Sequence, residues 1–201
     1  MFKKTWFKLL IGVIFLSAAI YSLVGSQQSY LERKTTERVT YEDNLRKMED
    51  SPLAGSGKEP LKFYAIDEAW IVEAAFVSEE DGEASSSKSF SMMMTDSTFE
   101  KMDLAGKLIF EKNGEAHELL IFDEGESFLL PFTDLTSGRE TYGGGRYINI
   151  PKDKLKKGRI KIDFNDAANF YCAFTPDFIC PIPPKENMLN IGVAAGEKIF
   201  M

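Results

Sequence analysis

Three short stretches carry the residue types and spacings that could do chemistry. The first is Thr141-Tyr-Gly-Gly-Gly-Arg146-Tyr147. Gly143, Gly144 and Gly145 permit positive φ and close backbone approach. Their N–H groups could form an anion-binding nest, and Arg146 adds a planar fork for a carboxylate or phosphate. The alternative is a sharp loop entering a strand, with Arg146 paired to Asp134 or Asp163. The second stretch, Asp163-Phe-Asn165, ends a run in which Ile160, Ile162 and Phe164 face one way. Asp163 and Asn165 then face the other way together, placed to hold a loop or to bind a polar ligand. With Tyr142 and Asn187 they make a polar cast without a nucleophile–base pair, which suits binding better than catalysis. A hydrolase or lyase using Asp163 or Glu197 with Tyr142 and Arg146 is the enzymatic alternative, and a structural or assembly module is the third reading.

The last of the three stretches holds Cys172 and Cys180, which flank AFTPDFI. In an oxidising compartment an even pair is most simply a disulfide. Closing so short a loop stabilises by about 2.5 kcal/mol on the chain-entropy view, less any strain. Metal or redox work is the alternative, although C-x7-C is a standard spacing for neither. With one histidine and two cysteines, most sites built only from those ligands are excluded, and neither a metal nor a cofactor is expected. His117 reads as a histidine at the rim of a core. Gly-x-Ser-x-Gly, His-Glu-x-x-His and the Walker lysine loop are all missing, and Gly55-Ser-Gly-Lys58 lacks the spacing of a phosphate-binding loop. Met92-Met93-Met94 reads as strand filler.

The elements that must position these groups begin with a compartment signal. Residues 1–8 carry Lys3, Lys4 and Lys8, and residues 9–25 carry no charge, the pattern of a basic n-region and an apolar h-region. As a helix, that run spans roughly 25 Å, short for a bilayer core of about 30 Å. Residues 1–26 are therefore either a signal anchor or a signal peptide cleaved near Val24-Gly25-Ser26. Lysines ahead of the run keep the N-terminus in the cytoplasm and put the main domain outside it, held to the membrane by this helix or released to the periplasm if it is cleaved. Lys and Arg number 24 against 31 Asp and Glu in the 201 residues, a net charge of −7. Such an acidic chain is a poor nucleic-acid binder. At 44% hydrophobic it is too apolar to be disordered.

Residues 27–51 predict a polar helix opened by the capping box Ser29-Tyr-Leu-Glu32 and closed at Ser51-Pro52. Its thin stripe (Leu31, Val39, Tyr41, Leu45, Met48) fits a helix laid along the domain, with a stalk as the alternative. From residue 52 to 201 the pattern shortens to period two. Strands are expected at 61–66, 69–77, 106–112, 115–122, 127–133, 146–150, 158–164 and 189–195. Asn113-Gly114 suits a type I′ turn that sets Lys112 opposite Glu115, Phe110 opposite His117 and Leu108 opposite Leu119. The whole reads as mainly β: a membrane or signal helix, one amphipathic helix, then a single antiparallel barrel or sandwich-like domain with little further helix. The lysine-rich stretch PKDKLKKGRIK is expected as a solvated hairpin tip joining 146–150 to 158–164, which would bring Arg146 near Asp163 and Asn165.

The C-terminal third has a more specific likeness. PFTDLTSGRETYGGGRY, DFNDAANFYCAFTPDFICPIPPKENMLN and AGEK, with SPLAGSGKEPLKFYAIDEAWIVEAAFV upstream, resemble the DUF1684 family in its short form, over roughly residues 37–201. Ala168 and Phe170 depart from the family's Ala-Tyr-Asn-Pro-x-Cys stretch. The resemblance implies a β-rich fold and a region in which to look for function, and it implies no reaction. Together these readings describe an envelope domain that binds a small polar or anionic ligand, or a protein partner, without catalysis.

Overall fold

The computed structural model describes residues 29–55, 59–79 and 88–200. The chain divides into two compact units, Met1–Asp43 and Asn44–Met201. Within the described residues, the first unit holds the start of helix α1 (Tyr30–Lys47). Its capping box forms as the spacing requires: the Glu32 amide donates to Ser29 Oγ at 3.2 Å, and the Ser29 amide donates to Glu32 Oε2 at 3.1 Å. Leu31 and Val39 are exposed. The helix ends four residues before the expected stop. The Ser51 amide turns back to Met48 O and the Ser51 hydroxyl accepts from the Leu53 amide, which sends Leu53, just after the proline, into the core. Among the described residues no helix is long and apolar enough to cross a membrane. The apolar run at 9–25 lies outside them.

The second unit is a nearly closed antiparallel barrel. Its strands are β1 (Ile71–Ser78), β2 (Lys88–Met93), β3 (Phe99–Lys112), β4 (Glu115–Glu124), β5 (Ser127–Phe132), β6 (Arg146–Pro151) and β7 (Arg159–Asp163). The hydrogen-bonded order is β6-β5-β4-β3-β1-β7, with β2 also on β3. The β3–β4 hairpin has the register expected from Asn113-Gly114, pairing Lys112 with Glu115, Phe110 with His117 and Leu108 with Leu119. Asn113 and Gly114 have φ of 57° and 81°, as the turn needs.

One edge of β3 serves two neighbours, β2 as far as Leu104 and β1 from Gly106 on, with a bulge at Ala105 between them. The bulge reverses which face is inward. Leu108 and Phe110 therefore point into the barrel with Phe128, Leu130 and Phe132, while Leu104 joins Phe122, Leu129, Tyr147 and Met92 in a second cluster outside. Gly106 sits at φ 152°, where an added Cβ would lie 2.2 Å from Val77 O.

Three strand expectations need correction. Residues 61–66 make only the single bridge Phe63↔Glu197, with the Tyr64 amide on Gly196 O and the Lys198 amide on Lys62 O, before Asp67 caps a short 3-10 turn. Residues 189–195 form no full strand: the Leu189 amide donates to Thr133 O and Ile191 O accepts from the Leu135 amide, but beyond them the carbonyls of Val193 and Ala195 are taken by the Arg146 side chain. The lysine-rich stretch is no hairpin tip between β6 and β7. β6 pairs with β5, and β7 pairs with β1. The turn instead crosses between the two edges of the sheet, tightened by Lys157 and Gly158 at positive φ. The gap between those edges is narrowed where Tyr147 and Ala168 exchange backbone hydrogen bonds of 2.9 and 3.0 Å. After residue 52 the described helices are all three-residue 3-10 turns.

Candidate functional site

Strand direction puts the end of β5, the start of β6, the end of β7 and the start of β1 at one end of the barrel. Arg146 and Asp163 thus share an end, although their strands do not pair. Phe164 plugs that end from inside, its ring 5.3 Å from Phe132, 5.9 Å from Phe110 and 6.1 Å from Trp70.

Arg146 opens β6 facing inward and is 0% exposed. Its Nη2 donates to Asp134 Oδ2 at 2.8 Å and to Val193 O at 2.9 Å, and its Nη1 donates to the carbonyls of Ala195 and Glu197. The guanidinium carbon lies 5.2 Å above the Phe132 ring. Burial lowers the arginine's pKa, and the charge and hydrogen bond of Asp134 oppose that shift. Asp134 Oδ1 meanwhile accepts from the amides of Thr136 (2.7 Å) and Val193 (3.2 Å). The pairing with Asp134, one of the two partners the sequence offered for a structural arginine, is the one found.

The other polar residues are engaged in the same manner. Asn165 Oδ1 accepts from the Asp67 amide at 3.0 Å while its Nδ2 donates to Asp67 O at 2.8 Å. Asp163 Oδ1 accepts from the Asn165 amide and from Asn165 Nδ2. Together they fasten the segment entering β1 to the end of β7. Asn187, 0% exposed, works between β4 and β5. Its Oδ1 accepts from the Leu120 amide at 2.7 Å, and its Nδ2 donates to Leu120 O at 2.8 Å and Pro131 O at 2.6 Å. The β4–β5 ladder runs only from Phe122↔Leu129 to Glu124↔Ser127. The amide therefore stands in for missing backbone where the two strands part.

The glycine run is explained by packing. A Cβ on Gly144 would strike the Tyr142 ring at 2.4 Å. Gly145, at φ 91°, faces Phe132 O and the Pro183 ring, and its amide closes a turn onto Tyr142 O. The Tyr142 hydroxyl donates to Cys172 O at 3.2 Å, and burial raises its pKa.

Cys172 and Cys180 lie side by side as free thiols, the Cys172 amide 3.4 Å from Cys180 Sγ. His117 stacks obliquely beside Phe110 at 5.3 Å, as a core-rim residue does. Among the described residues no group of three His, Cys, Asp or Glu side chains could hold a metal ion.

Sequence reasoning missed the buried partners Thr136, Thr141 and Asn169. Thr136 and Thr141 share a hydroxyl hydrogen bond of 2.9 Å, and the Asn169 amide donates to Glu197 Oε2 at 2.9 Å. The spacing Asp134-Leu-Thr136, in which a carboxylate reaches the amide two residues on, was the local signal for the first of these. Phe170, a departure from the family stretch, stacks face to face on Tyr147 at 3.6 Å.

This barrel with a short appended helix defines the chain's class. Residues 59–198 match the family described as "Protein of unknown function (DUF1684)", and the chain belongs to that family. It is also similar to an uncharacterized protein of Haloarcula marismortui whose solution NMR structure is known. The two share 28% sequence identity and a TM-score of 0.65, over 83% of this chain and 92% of the other. No curated protein matches the chain.

Proposed function

We propose that the protein is a non-catalytic interaction domain, tethered outside the cytoplasm by residues 9–25, which acts by binding a protein partner. One observation carries this reading: the polar groups that could have worked on a substrate are spent on the chain's own backbone. Arg146, Asn165 and Asn187 are each at most 2% exposed and bonded to main-chain groups. Acid–base work needs a group within reach of a reacting proton, and these are turned inward as scaffold. What the surface offers instead is apolar. Phe99, 65% exposed, is paired across the β2–β3 turn with Met93, 43% exposed, and aromatic residues of this kind anchor protein interfaces.

The test is native mass spectrometry of the full chain purified from its own membranes, beside Phe99→Arg and Arg146→Ala. A stoichiometric protein partner that Phe99→Arg loses at unchanged melting temperature supports the reading. A retained small molecule that Arg146→Ala loses at unchanged melting temperature overturns it in favour of a ligand site. Turnover of a retained molecule overturns it in favour of an enzyme.

A further inference from the structure

We propose that Cys172 and Cys180 form a thiol–disulfide exchange site whose substrate is a disulfide of another molecule, with Cys172 taking up the mixed disulfide and Cys180 resolving it. This goes beyond the interaction reading and rests on the strap that runs beside the β2 end, not on Phe99 itself.

The two cysteines sit on one strap. From the 3-10 turn Tyr171–Ala173 the chain runs outward and returns along the edge of β2. Both ends are pinned. The Tyr142 hydroxyl holds Cys172 O. At the other end, Thr95 Oγ1 accepts from the Cys180 amide at 3.0 Å, the Thr95 amide donates to Cys180 O at 2.9 Å, and the Ile182 amide donates to Met93 O at 2.7 Å. The sulfurs therefore stay adjacent without help from a covalent bond.

Their surroundings divide the work: Cys172 offers access, and Cys180 offers the base that takes its proton. Cys172 is partly exposed and Cys180 is buried, so an external disulfide reaches Cys172 first. Cys180 Sγ receives the Cys172 amide and the Cys172 thiol proton. Those donors stabilise a thiolate there and bring the Cys180 pKa down to about 7, while the Cys172 thiol is pushed up by giving its proton to that bond and by burial. A third ligand for a metal is missing among the described residues. A purely structural bridge would need no accessible sulfur.

The steps balance as follows. Cys172 Sγ attacks one substrate sulfur as its proton passes to the Cys180 thiolate. The substrate S–S bond breaks, and the first substrate thiolate leaves and is protonated by water. Cys180 then loses its proton to solvent and attacks Cys172 Sγ, breaking the mixed disulfide and releasing the second substrate thiolate. One substrate disulfide is reduced by two electrons to two thiols, and the cysteine pair is oxidised to one disulfide. Run backwards, the same steps oxidise a substrate dithiol.

The experiment treats the full reduced chain with oxidised glutathione under native conditions, quenches with an alkylating reagent and reads the mass. Wild type is expected to form the internal disulfide and to lose it again in reduced glutathione without denaturant. Cys180→Ser is expected to trap one glutathione, mapped to Cys172, and Cys172→Ser to react about tenfold more slowly. Cys180→Ala replaces Cys180→Ser if the latter melts early. A pair that neither oxidises nor is reduced in the folded protein overturns the proposal. So does a Cys172→Ser variant that traps glutathione as fast as Cys180→Ser.

Discussion

Arg146 Nη2 lies 2.8 Å from Asp134 Oδ2, and both side chains are fully buried at the end of the barrel. A buried ion pair is not in itself a source of net stability, but removing one partner strands the other. Asp134→Asn should keep the acceptor for Thr136 and Val193 while facing an amide N–H₂ against the guanidinium. It is expected to cost about 3 kcal/mol, and Arg146→Met about 3–5 kcal/mol, since the Val193 and Ala195 carbonyls also lose their donor. In a denaturant double-mutant cycle the pair together should cost less than the sum. Additive losses would show that the ion pair does not couple the two.

The Asn187 amide predicts a pH effect with a definite sign. In Asn187→Asp one oxygen keeps the Leu120 amide, but the other faces Leu120 O and Pro131 O, 2.8 and 2.6 Å from the present Nδ2. Only a protonated carboxyl can donate to them, so its folded pKa should rise above the unfolded value. The variant should therefore be least destabilised below about pH 4 and lose stability as pH rises from there through the folded pKa. A variant whose deficit relative to wild type is the same at acid and neutral pH would show that the carbonyls have moved away.

How much was legible follows from which interactions are local. The capping box, the Asn113-Gly114 hairpin with its register, and the inward face Phe128-Leu130-Phe132 were readable, because each is decided within a few residues by turn chemistry or period two. The pairing of β6 and β7 was misread because nearness in sequence is a poor guide once a sheet curls round. These two strands are neighbours in the chain and opposite edges of the sheet. The segment 189–195 has strand composition, but its Val193 and Ala195 carbonyls go to Arg146, 47 and 49 residues away, and no local pattern announces that. Arg146 and Asp163 do stand at the same end of the barrel, although not through the pairing expected for β6 and β7. The employment of the polar cast by backbone groups of distant segments was not readable from residue type.

The two glycines of β3 and its turn should respond very differently to alanine. Gly114 has φ 81° with nothing within 4 Å of an added Cβ, so only backbone strain is incurred, about 1 kcal/mol. At Gly106 the new Cβ would lie 2.2 Å from Val77 O, a backbone atom that cannot rotate aside. Gly106→Ala should cost about 3 kcal/mol or more and disturb the β1–β3 pairing. Equal losses in chemical denaturation would mean that the bulge is not held by this close approach.

Lys152 Nζ reaches both oxygens of Asp123, at 2.7 and 2.6 Å, and this hydrogen bond lowers the Asp123 pKa. A depressed carboxyl pKa contributes stability above its unfolded value and loses it as pH falls through the folded one. Both groups are about one-third exposed, so solvent screens the pair. Lys152→Met should cost under about 1 kcal/mol at neutral pH and nothing at about pH 2, with the difference shrinking in high salt. Urea titrations at the two pH values check this, and a deficit that persists in acid would assign it to the lost contact of the ammonium with the Phe128 ring, 5.4 Å away.

The proposed tether makes a prediction about where the barrel would stand. Lys3, Lys4 and Lys8 precede the uncharged run 9–25, and no comparable run follows. Positive charge is retained on the cytoplasmic side during insertion, so one crossing leaves everything after it on the far side. A reporter that matures only outside the cytoplasm, fused after Met201, should be active. Replacing the three lysines with glutamates should reduce that activity, since on the proposed reading the charge asymmetry is what orients the apolar run. Retention and cleavage then separate on a gel. An anchor keeps the full-length chain in the membrane fraction, whereas cleavage near Gly25 releases a shorter soluble chain that begins close to the capping box at Ser29. A fusion active only in a cytoplasmic reporter would remove the targeting reading, and with it the oxidising compartment that would supply disulfide substrates to Cys172.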